Sequence, residues 1–317
     1  MVDRSGILIC GGLLLDRYIL VDEYPVRGED GFILESFDVV GGCTANIAKT
    51  VKNLRAVPYA VSYVGSDSAG SEVMDFMDRE ELPTDCVRRK EGRTGYCMVL
   101  LEPDGERTFL TCKGCETEYS DLLIFEPAAS VCGVVAVTGY YLLDDSSEKL
   151  IGRISALKGS GSKVLFDPSP LVGKIDKRRL ERMLSLSDVI MPNKAEAGFL
   201  AMSTGHETPE LWALAHSKGG TCIVITDGSA GGCLYQNGKS HRYDAVKTNA
   251  LDTTGAGDSF TGAIAYSLAH GVPPEKAVLL AAAAAAATAS AKGPHCDFSI
   301  SDLAPEAQSI WKEYQPK

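Results

Sequence analysis

The chain has 317 residues, of which 45% are hydrophobic and 23% charged, and its formal net charge is −11 with a pI near 5.0. A chain of this size can bury a large core without disulfides or structural metal, and its acidity argues against nucleic-acid or anionic-membrane partners, which would favour a basic face. The ten cysteines are scattered rather than arranged as a framework, which is typical of a reducing compartment.

Short apolar runs rich in Val and Ile alternate with helix-like segments along the chain. They lie at residues 6–11, 59–65, 133–139, 163–169, 188–193 and 222–228. Runs that are apolar almost from end to end are typical of parallel strands buried on both faces. We therefore predict an α/β fold in which a doubly wound, mostly parallel sheet is flanked by helices, formed by one domain over residues 1–317.

Two apolar segments raise the question of a membrane. The first run follows Asp3, is short and is interrupted by glycines, so it is predicted to be a buried strand rather than a targeting segment. The alanine-rich segment 277–293 is shorter than the roughly 20 apolar residues that span a bilayer, and it is predicted to be a packed helix. The sequence therefore predicts a cytoplasmic protein with no membrane partner.

Two regions break the alternation of strands and helices. Residues 13–40 have no helical period, and residues 93–113 read as two strands joined by the turn Pro103-Asp104-Gly105. Both are predicted to be antiparallel pieces that together form a small β lid, through which a homodimer can form. Cys112 and Cys115 have no second pair at zinc spacing, so we expect a chance or redox-sensitive pair there.

The run "LDTTGAGDSF", residues 251–260, opens an amphipathic helix. The apolar positions at helical spacing are Phe260, Ala263, Ile264 and Leu268. Thr254 is the predicted N-cap. The glycines therefore fall in the first turn of the helix. Because glycine is a poor helix former, helix propensity does not explain their presence there.

Gly255, Ala256 and Gly257 predict an anion site at this helix tip. Amide groups in a first turn have no intrahelical partner, the helix dipole is positive there, and glycine lacks the Cβ that would keep a phosphate away. Asp258 follows directly, and a carboxylate beside a phosphate can accept the proton of an attacking alcohol. The alternative is an ordinary N-terminal aspartate that stabilises the helix dipole.

Two other nucleotide motifs are excluded by inspection. The chain contains no G-x-x-x-x-G-K-[ST] phosphate loop. The dinucleotide fingerprint G-x-G-x-x-G fails because Phe260 stands at its sixth position. A dehydrogenase is therefore disfavoured.

The segment "DTTGAGDSFTGA" resembles the C-terminal signature of the ribokinase-like carbohydrate kinases, the phosphofructokinase B family. Three further segments resemble motifs of this family, and they occur in its order along the chain: "GGCTANIA" at 41–48, "NKAE" at 193–196 and "TDG" at 226–228. The resemblance spans nearly the whole chain. It implies a ribokinase-like fold and an ATP-dependent, magnesium-requiring kinase.

The resemblance also implies roles for the substrate side. Asp16, Gly42 and Asn46 would bind sugar hydroxyls. Apart from the resemblance, the pair Gly41 and Gly42 before a helix would allow the backbone to approach the substrate closely. The ordinary readings are a solvated loop carboxylate for Asp16 and a tight turn before a helix for the glycines. Arg107 is a candidate substrate-binding cation of the lid.

On the nucleotide side, Asn193 and Glu196 would organise the Mg²⁺–phosphate region through water, although their spacing is also that of a capping box. Thr226 and Gly228 follow an apolar strand, where doubly wound sheets bind ligands, and would lie near the nucleotide. Asp252 matches a family position near a monovalent cation, often K⁺; turn chemistry is its alternative.

The predicted reaction is phosphoryl transfer from ATP to a primary hydroxyl of a sugar or sugar derivative. A phosphosugar would need cations, for which Arg27, Arg93 and Arg107 are available. "FDPSP" at 166–170 departs from the D-x-N-x-R pattern of many sugar kinases, which weakens the simple-sugar prediction. The alternatives are a catalytically silent ligand sensor and a nucleoside kinase, whose base would need an aromatic wall; candidates for that wall are Tyr18, Phe32, Tyr96 and Phe109.

Overall fold

The computed structural model describes residues 4–101, 107–119 and 121–315. Within that part of the chain, the six apolar runs and three further strands, β5, β12 and β13, form a nine-stranded sheet with the order β13-β12-β11-β10-β9-β8-β1-β4-β5. Its strands are β1 (Gly6–Cys10), β4 (Pro58–Gly65), β5 (Val87–Lys90), β8 (Cys132–Thr138), β9 (Lys163–Asp167), β10 (Val189–Ile190), β11 (Cys222–Thr226), β12 (Gly232–Gln236) and β13 (Lys239–Tyr243).

Strands β5 to β11 of this order are parallel, and β12 and β13 add an antiparallel edge. The predicted doubly wound, mostly parallel sheet is confirmed. The run at 188–193 gives the shortest strand, because Pro192 has no N–H to donate and Asn193 already caps the next helix.

Helices cover both faces of the sheet. They are α1 (Cys43–Asn53), α2 (Ser68–Arg79), α3 (Glu126–Ala129), α4 (Ser147–Gly159), α5 (Lys177–Leu186), α6 (Lys194–Ser203), α7 (Pro209–Ser217), α8 (Ala256–Ala269), α9 (Pro274–Ala289) and α10 (Pro305–Tyr314). The alanine-rich segment is α9, as predicted. Among the described residues, none of the helices combines the length and apolarity that a bilayer crossing requires.

Two cores lie on opposite sides of the sheet because successive strand residues point to opposite faces. Val134 and Ala136 of β8 pack with α1, α8 and α9, whereas Val135 and Val137 pack with α4 and α7. The C-terminal helix is attached to the first core by Trp311, whose Nε1 donates to the carbonyl oxygen of Leu54 at 2.9 Å. Trp212 is fully buried in the second core.

The two regions that break the alternation form a separate four-stranded sheet, the lid sheet. Its order is β3-β2-β6-β7, from β2 (Leu14–Val21), β3 (Ile33–Gly41), β6 (Tyr96–Leu101) and β7 (Arg107–Cys112). The pairs β2–β3 and β6–β7 are antiparallel, as predicted, and a parallel β2–β6 pair joins them. The predicted turn Pro103-Asp104-Gly105 lies outside the described residues.

Cysteine chemistry plays no visible part in the fold. All ten cysteines are free thiols, and of the predicted pair Cys112 is exposed and Cys115 buried. In the described ranges, no group of three or more His, Cys, Asp or Glu side chains is arranged to hold a metal ion.

Candidate active site

The tip of α8 is built on Gly255, which caps the helix. Gly255 has φ 74°, and a Cβ at this position would lie 1.7 Å from the carbonyl oxygen of Pro294. Both the left-handed conformation and the close approach require glycine. The prediction that Thr254 is the N-cap is therefore wrong: its side chain makes no cap hydrogen bond, and its amide instead donates to Oδ1 of Asp252 at 2.8 Å.

Free amide donors are present at this tip. The Ala256 amide donates to Thr253 O at 3.3 Å, but among the described residues no acceptor takes the amide hydrogens of Gly255, Gly257 or Asp258. A Cβ on Gly257 would meet no heavy atom within 4 Å, so this face of the tip is open. The geometry fits an anion at the helix N-terminus.

Asp258 lies in the first turn of α8 and faces α1. Its Oδ2 accepts a hydrogen bond of 2.7 Å from Nδ2 of Asn46. Burial raises the pKa of the Asp258 carboxyl to about 7; the Asn46 hydrogen bond lowers it, and the charges of Asp167 and Asp16 raise it further. The group is therefore poised to exchange a proton near neutral pH.

Asn46 itself is held deep in the site at 3% exposure. Its Nδ2 donates a hydrogen bond to Asp258, while its Oδ1 is buried with no hydrogen-bond partner among the described residues. The α1–α8 contact that positions the pair includes a hydrogen bond of 3.0 Å from the Thr50 hydroxyl to the Ser259 hydroxyl. The free Oδ1 can accept a hydrogen bond from a substrate hydroxyl.

Asp16 projects from β2 of the lid sheet onto the start of α1. A Cβ on Gly41 would lie 2.0 Å from Oδ2 of Asp16, so glycine is needed for the carboxylate to sit there. Burial raises the pKa of Asp16 to about 7, against a hydrogen bond from the Gly42 amide that lowers it. The structure thus brings Asp16, Gly41 and Gly42 together, and Asp16 is close enough to Asp258 to influence its ionisation.

Asn193 and Glu196 form the capping box of α6. The Asn193 side chain accepts from the Glu196 amide at 2.9 Å, and Glu196 Oε2 accepts from the Asn193 amide at 3.0 Å. Burial raises the pKa of Glu196 to about 7, with a further rise from the charge of Asp167. The structural reading of this motif is therefore confirmed, and the buried carboxylate is nevertheless placed beside the other site carboxylates.

Thr226 and Gly228 lie at the same edge of the sheet. Thr226 forms a parallel bridge with Asn193, and its amide donates to the carbonyl oxygen of Pro192 at 3.1 Å. Gly228 follows with open space where a Cβ would be. Thr226 ends β11 and Gly228 follows it, so both lie at the carboxyl edge of the sheet, where open α/β sheets bind ligands.

Asp167 is a site residue that the sequence reasoning missed. It ends β9, and its Oδ2 accepts a hydrogen bond of 3.2 Å from the hydroxyl of Thr261 on α8. Burial raises its pKa to about 6, and its charge raises the pKa of both Asp258 and Glu196. The available sequence signal is the polar residue at the end of a buried apolar run; the departure of "FDPSP" from the sugar-kinase pattern does not indicate this contact.

Arg107 and Asp252, predicted as separate site residues, form an ion pair. Arg107 Nη2 lies 2.8 Å from Asp252 Oδ1. Asp252 Oδ2 also accepts a hydrogen bond of 3.1 Å from the Gly293 amide. The turn chemistry considered for Asp252 is therefore present. Its use as a monovalent-cation site stays a prediction, as does contact between Arg107 and a substrate.

The candidate aromatic wall is only partly assembled. The strand registers place Tyr18, Phe37 and Phe109 on the lid-sheet face that carries Asp16, and Tyr18 stacks on Phe37 with ring centroids 5.1 Å apart. Tyr96 points to the opposite face, because it pairs with Leu15 rather than with Asp16. Phe32 precedes β3 and is 78% exposed.

Comparison with known proteins agrees with this geometry. A family model described as "pfkB family carbohydrate kinase" matches residues 21–298. The uncharacterized sugar kinase YegV of Escherichia coli K12 is 27% identical over 300 residues, which are 93% of this chain and 92% of that protein.

Solved structures establish the fold. The ribokinase of Arabidopsis thaliana, in complex with ribose and ATP, superimposes with a TM-score of 0.78 and 24% identity, covering 100% of both chains. A Burkholderia thailandensis nucleoside kinase in complex with inosine has a TM-score of 0.77 and 21% identity, covering 98% of this chain and 96% of that one.

Proposed function

Because the chain belongs to the pfkB family of carbohydrate kinases, and is therefore an ATP-dependent kinase, we propose that it phosphorylates a primary hydroxyl of an uncharged sugar or sugar derivative. The observation that carries the proposal is the pairing of Asp258 with the open tip of α8. A carboxylate with a pKa raised to about 7 stands beside amide donors for which the described residues provide no acceptor.

Asp258 is the proposed general base. The acceptor hydroxyl gives its proton to the Asp258 carboxylate while its oxygen forms a bond to the γ-phosphorus of ATP, and the bond from that phosphorus to the β–γ bridging oxygen breaks, releasing ADP. Asn46 holds Asp258 in place through the 2.7 Å hydrogen bond and offers Oδ1 to a second substrate hydroxyl. Asp16 is proposed to bind a further hydroxyl from the lid side.

The tip of α8 is the proposed anion hole. The amides of Gly255 and Gly257, with the adjoining turn at Ala256, would stabilise the charge that develops on the transferred phosphoryl group. Donors fixed by a helix need no reorganisation during the reaction, and Gly257 leaves room for the phosphoryl oxygens to approach. The lid sheet would cover the acceptor and exclude water, which would otherwise compete for the phosphoryl group.

Mg²⁺ fits the donor set at the neighbouring strand ends. Glu196 and Asp167 each have a pKa raised mainly by burial, and the charge of Asp167 raises the pKa of Glu196 further. A hydrated divalent cation there would therefore relieve an electrostatic cost. A magnesium ion held there would neutralise part of the negative charge of the nucleotide phosphates. Asn193, Thr226 and Gly228 are proposed to border the nucleotide. A K⁺ ion at Asp252 would share that carboxylate with Arg107.

An uncharged acceptor is favoured over a phosphosugar by the charges of the site. Asp16, Asp167 and Asp258 are carboxylates, Arg107 is already paired with Asp252, and Arg27 and Arg93 are exposed. A second phosphate would therefore meet these carboxylates, and none of the three arginines offers it a free, buried cation.

A nucleoside is the second candidate acceptor. The Tyr18–Phe37 stack and Phe109 share the lid face of Asp16, which gives an apolar surface suited to a base. A structural neighbour is a nucleoside kinase in complex with inosine.

The test is ADP release from Mg·ATP against a panel of neutral sugars, phosphosugars and nucleosides. The proposal expects turnover with a neutral sugar-type acceptor and a loss of about 10³-fold or more in Asp258→Asn with ATP binding retained. Turnover only with nucleosides selects the second candidate. Binding of panel members without any ADP release would instead identify a ligand sensor, and near-normal turnover of Asp258→Asn would refute the base assignment.

We further propose that the lid sheet mediates a homodimer. Its two edge strands, β3 and β7, carry exposed apolar side chains, namely Ile33, Leu34, Phe37, Phe109 and Leu110. Exposed edges with apolar side chains are surfaces that proteins normally cover. Sedimentation velocity should show a dimer that Ile33→Lys dissociates, and a monomer at all concentrations would refute it.

A further inference from the structure

The guanidinium of Arg107 lies between the lid sheet and the turn that leads into α8. Arg107 pairs across the lid sheet with Leu101, which pairs with Leu20, so its side chain is on the same face as Asp16 and Tyr18. In the 2.8 Å ion pair with Asp252, the two side chains are only 15% and 10% exposed. The contact is thus shielded from bulk solvent. Two opposite charges held away from water are strongly coupled.

Asp252 in turn fixes the backbone on which the anion hole depends. Its two carboxylate oxygens accept the amides of Thr254 and Gly293, and its own amide donates to the carbonyl oxygen of Ala289 at 3.2 Å. The carboxylate therefore ties the turn before Gly255 to the segment after α9. Gly255 touches that same segment at Pro294, so displacement of the Asp252 carboxylate would displace the α8 tip.

Charge gives a second reason for the pair. A nearly buried carboxylate three residues before Gly255 would repel an anion bound at the tip unless a cation compensates it. Arg107 provides that cation from the lid, and its Nη2 is paired with the carboxylate.

We propose that Arg107 is a positioning residue that acts through Asp252, linking the lid sheet to the anion-binding tip of α8, and that it does not bind the acceptor. This inference rests on the proposed function of the tip. It replaces the prediction of Arg107 as a substrate-binding residue.

The experiment is a double-mutant cycle with Arg107→Met, Asp252→Asn and the double variant. Calorimetry gives the Kd of each for magnesium with a non-hydrolysable ATP analogue, a measurement that needs no acceptor and so stands even if the proposed acceptor is wrong. Acceptor KM and kcat are measured alongside. Arg17→Met is the matched control, because Arg17 forms a similar 2.8 Å pair with Asp38 on the opposite face of the same sheet, where the two side chains are 50% and 29% exposed.

The proposal expects Arg107→Met to weaken analogue binding about tenfold and lower kcat, with acceptor KM unchanged, and to have little added effect in the Asp252→Asn background. Arg17→Met should behave as wild type. A contact with the acceptor through Arg107 Nε, which is buried without a partner among the described residues, predicts the reverse: a raised acceptor KM, unchanged analogue binding and additive effects. That result would overturn the proposal.

Should Asp252→Asn fail to fold, Arg107→Lys decides the matter. It keeps the charge, so the proposal expects analogue binding between that of wild type and Arg107→Met. Wild-type binding by both Arg107 variants would overturn it.

Discussion

Gly257→Ala separates the stability of the α8 tip from its proposed use. The substitution adds one methyl group at the second position of α8, where an ideal Cβ meets no heavy atom within 4 Å. The backbone there is not left-handed. Because alanine costs less conformational entropy and favours helix more than glycine, we expect the free energy of unfolding to rise by about 0.5–1 kcal/mol.

Activity should move in the opposite direction. The new methyl group would occupy the space through which phosphoryl oxygens approach the amides, and misplacement by about 1 Å, or loss of one donor, costs about 100-fold or more in turnover. Urea denaturation and ADP release measure the two effects on one preparation. Gly152→Ala is the control, since Gly152 lies exposed inside α4 with equal room, and should gain stability with unchanged turnover. Normal turnover of Gly257→Ala would refute the anion hole.

Three further predictions concern the carboxylates. Asp258 keeps its proton to about pH 7 in the folded protein but releases it near pH 4 in the unfolded chain, so its contribution to stability is lost as pH rises through 7. In urea denaturation at different pH values, Asp258→Asn should therefore raise the free energy of unfolding by about 2–4 kcal/mol at pH 8 and by little at pH 4. An equal gain at both pH values would contradict this. Asp167→Asn should shift the acidic limb of kcat/KM about one unit lower, because the Asp167 charge raises the pKa of Asp258. Asn46→Ala should shift that limb to higher pH and lower kcat/KM about 10–100-fold, because it removes a hydrogen bond to the Asp258 carboxylate. If the acidic limbs of Asp167→Asn and Asn46→Ala moved in the same direction, the opposite effects assigned to Asp167 and Asn46 on Asp258 would be excluded.

The sequence predicted those features whose signal is local. Continuous apolar runs predicted the parallel strands. Gly255 and Gly257 predicted the α8 tip, because few other structures require two glycines at the start of a helix. The Asn193–Glu196 spacing predicted its capping box for the same reason: both partners lie within one turn.

Features that depend on distant registers could not be predicted in this way. The face of Tyr96 follows from its parallel pairing with Leu15, which no local pattern specifies. The Arg107–Asp252 pair joins strand β7 of the lid sheet to the turn before α8, so no local pattern connects the two residues. The contact of Asp167 with Thr261 of α8 likewise depends on where β9 lies in the sheet.

The positions of the two tryptophans decide which optical signals this enzyme can give. Trp212 on α7 and Trp311 on α10 are both buried in elements that supply none of the proposed site residues. Intrinsic fluorescence should therefore follow global denaturation and stay nearly silent when nucleotide or acceptor binds. A fluorescent reporter of lid position has to be introduced. Phe109→Trp would place an indole on β7, at a half-exposed position on the acceptor-facing side.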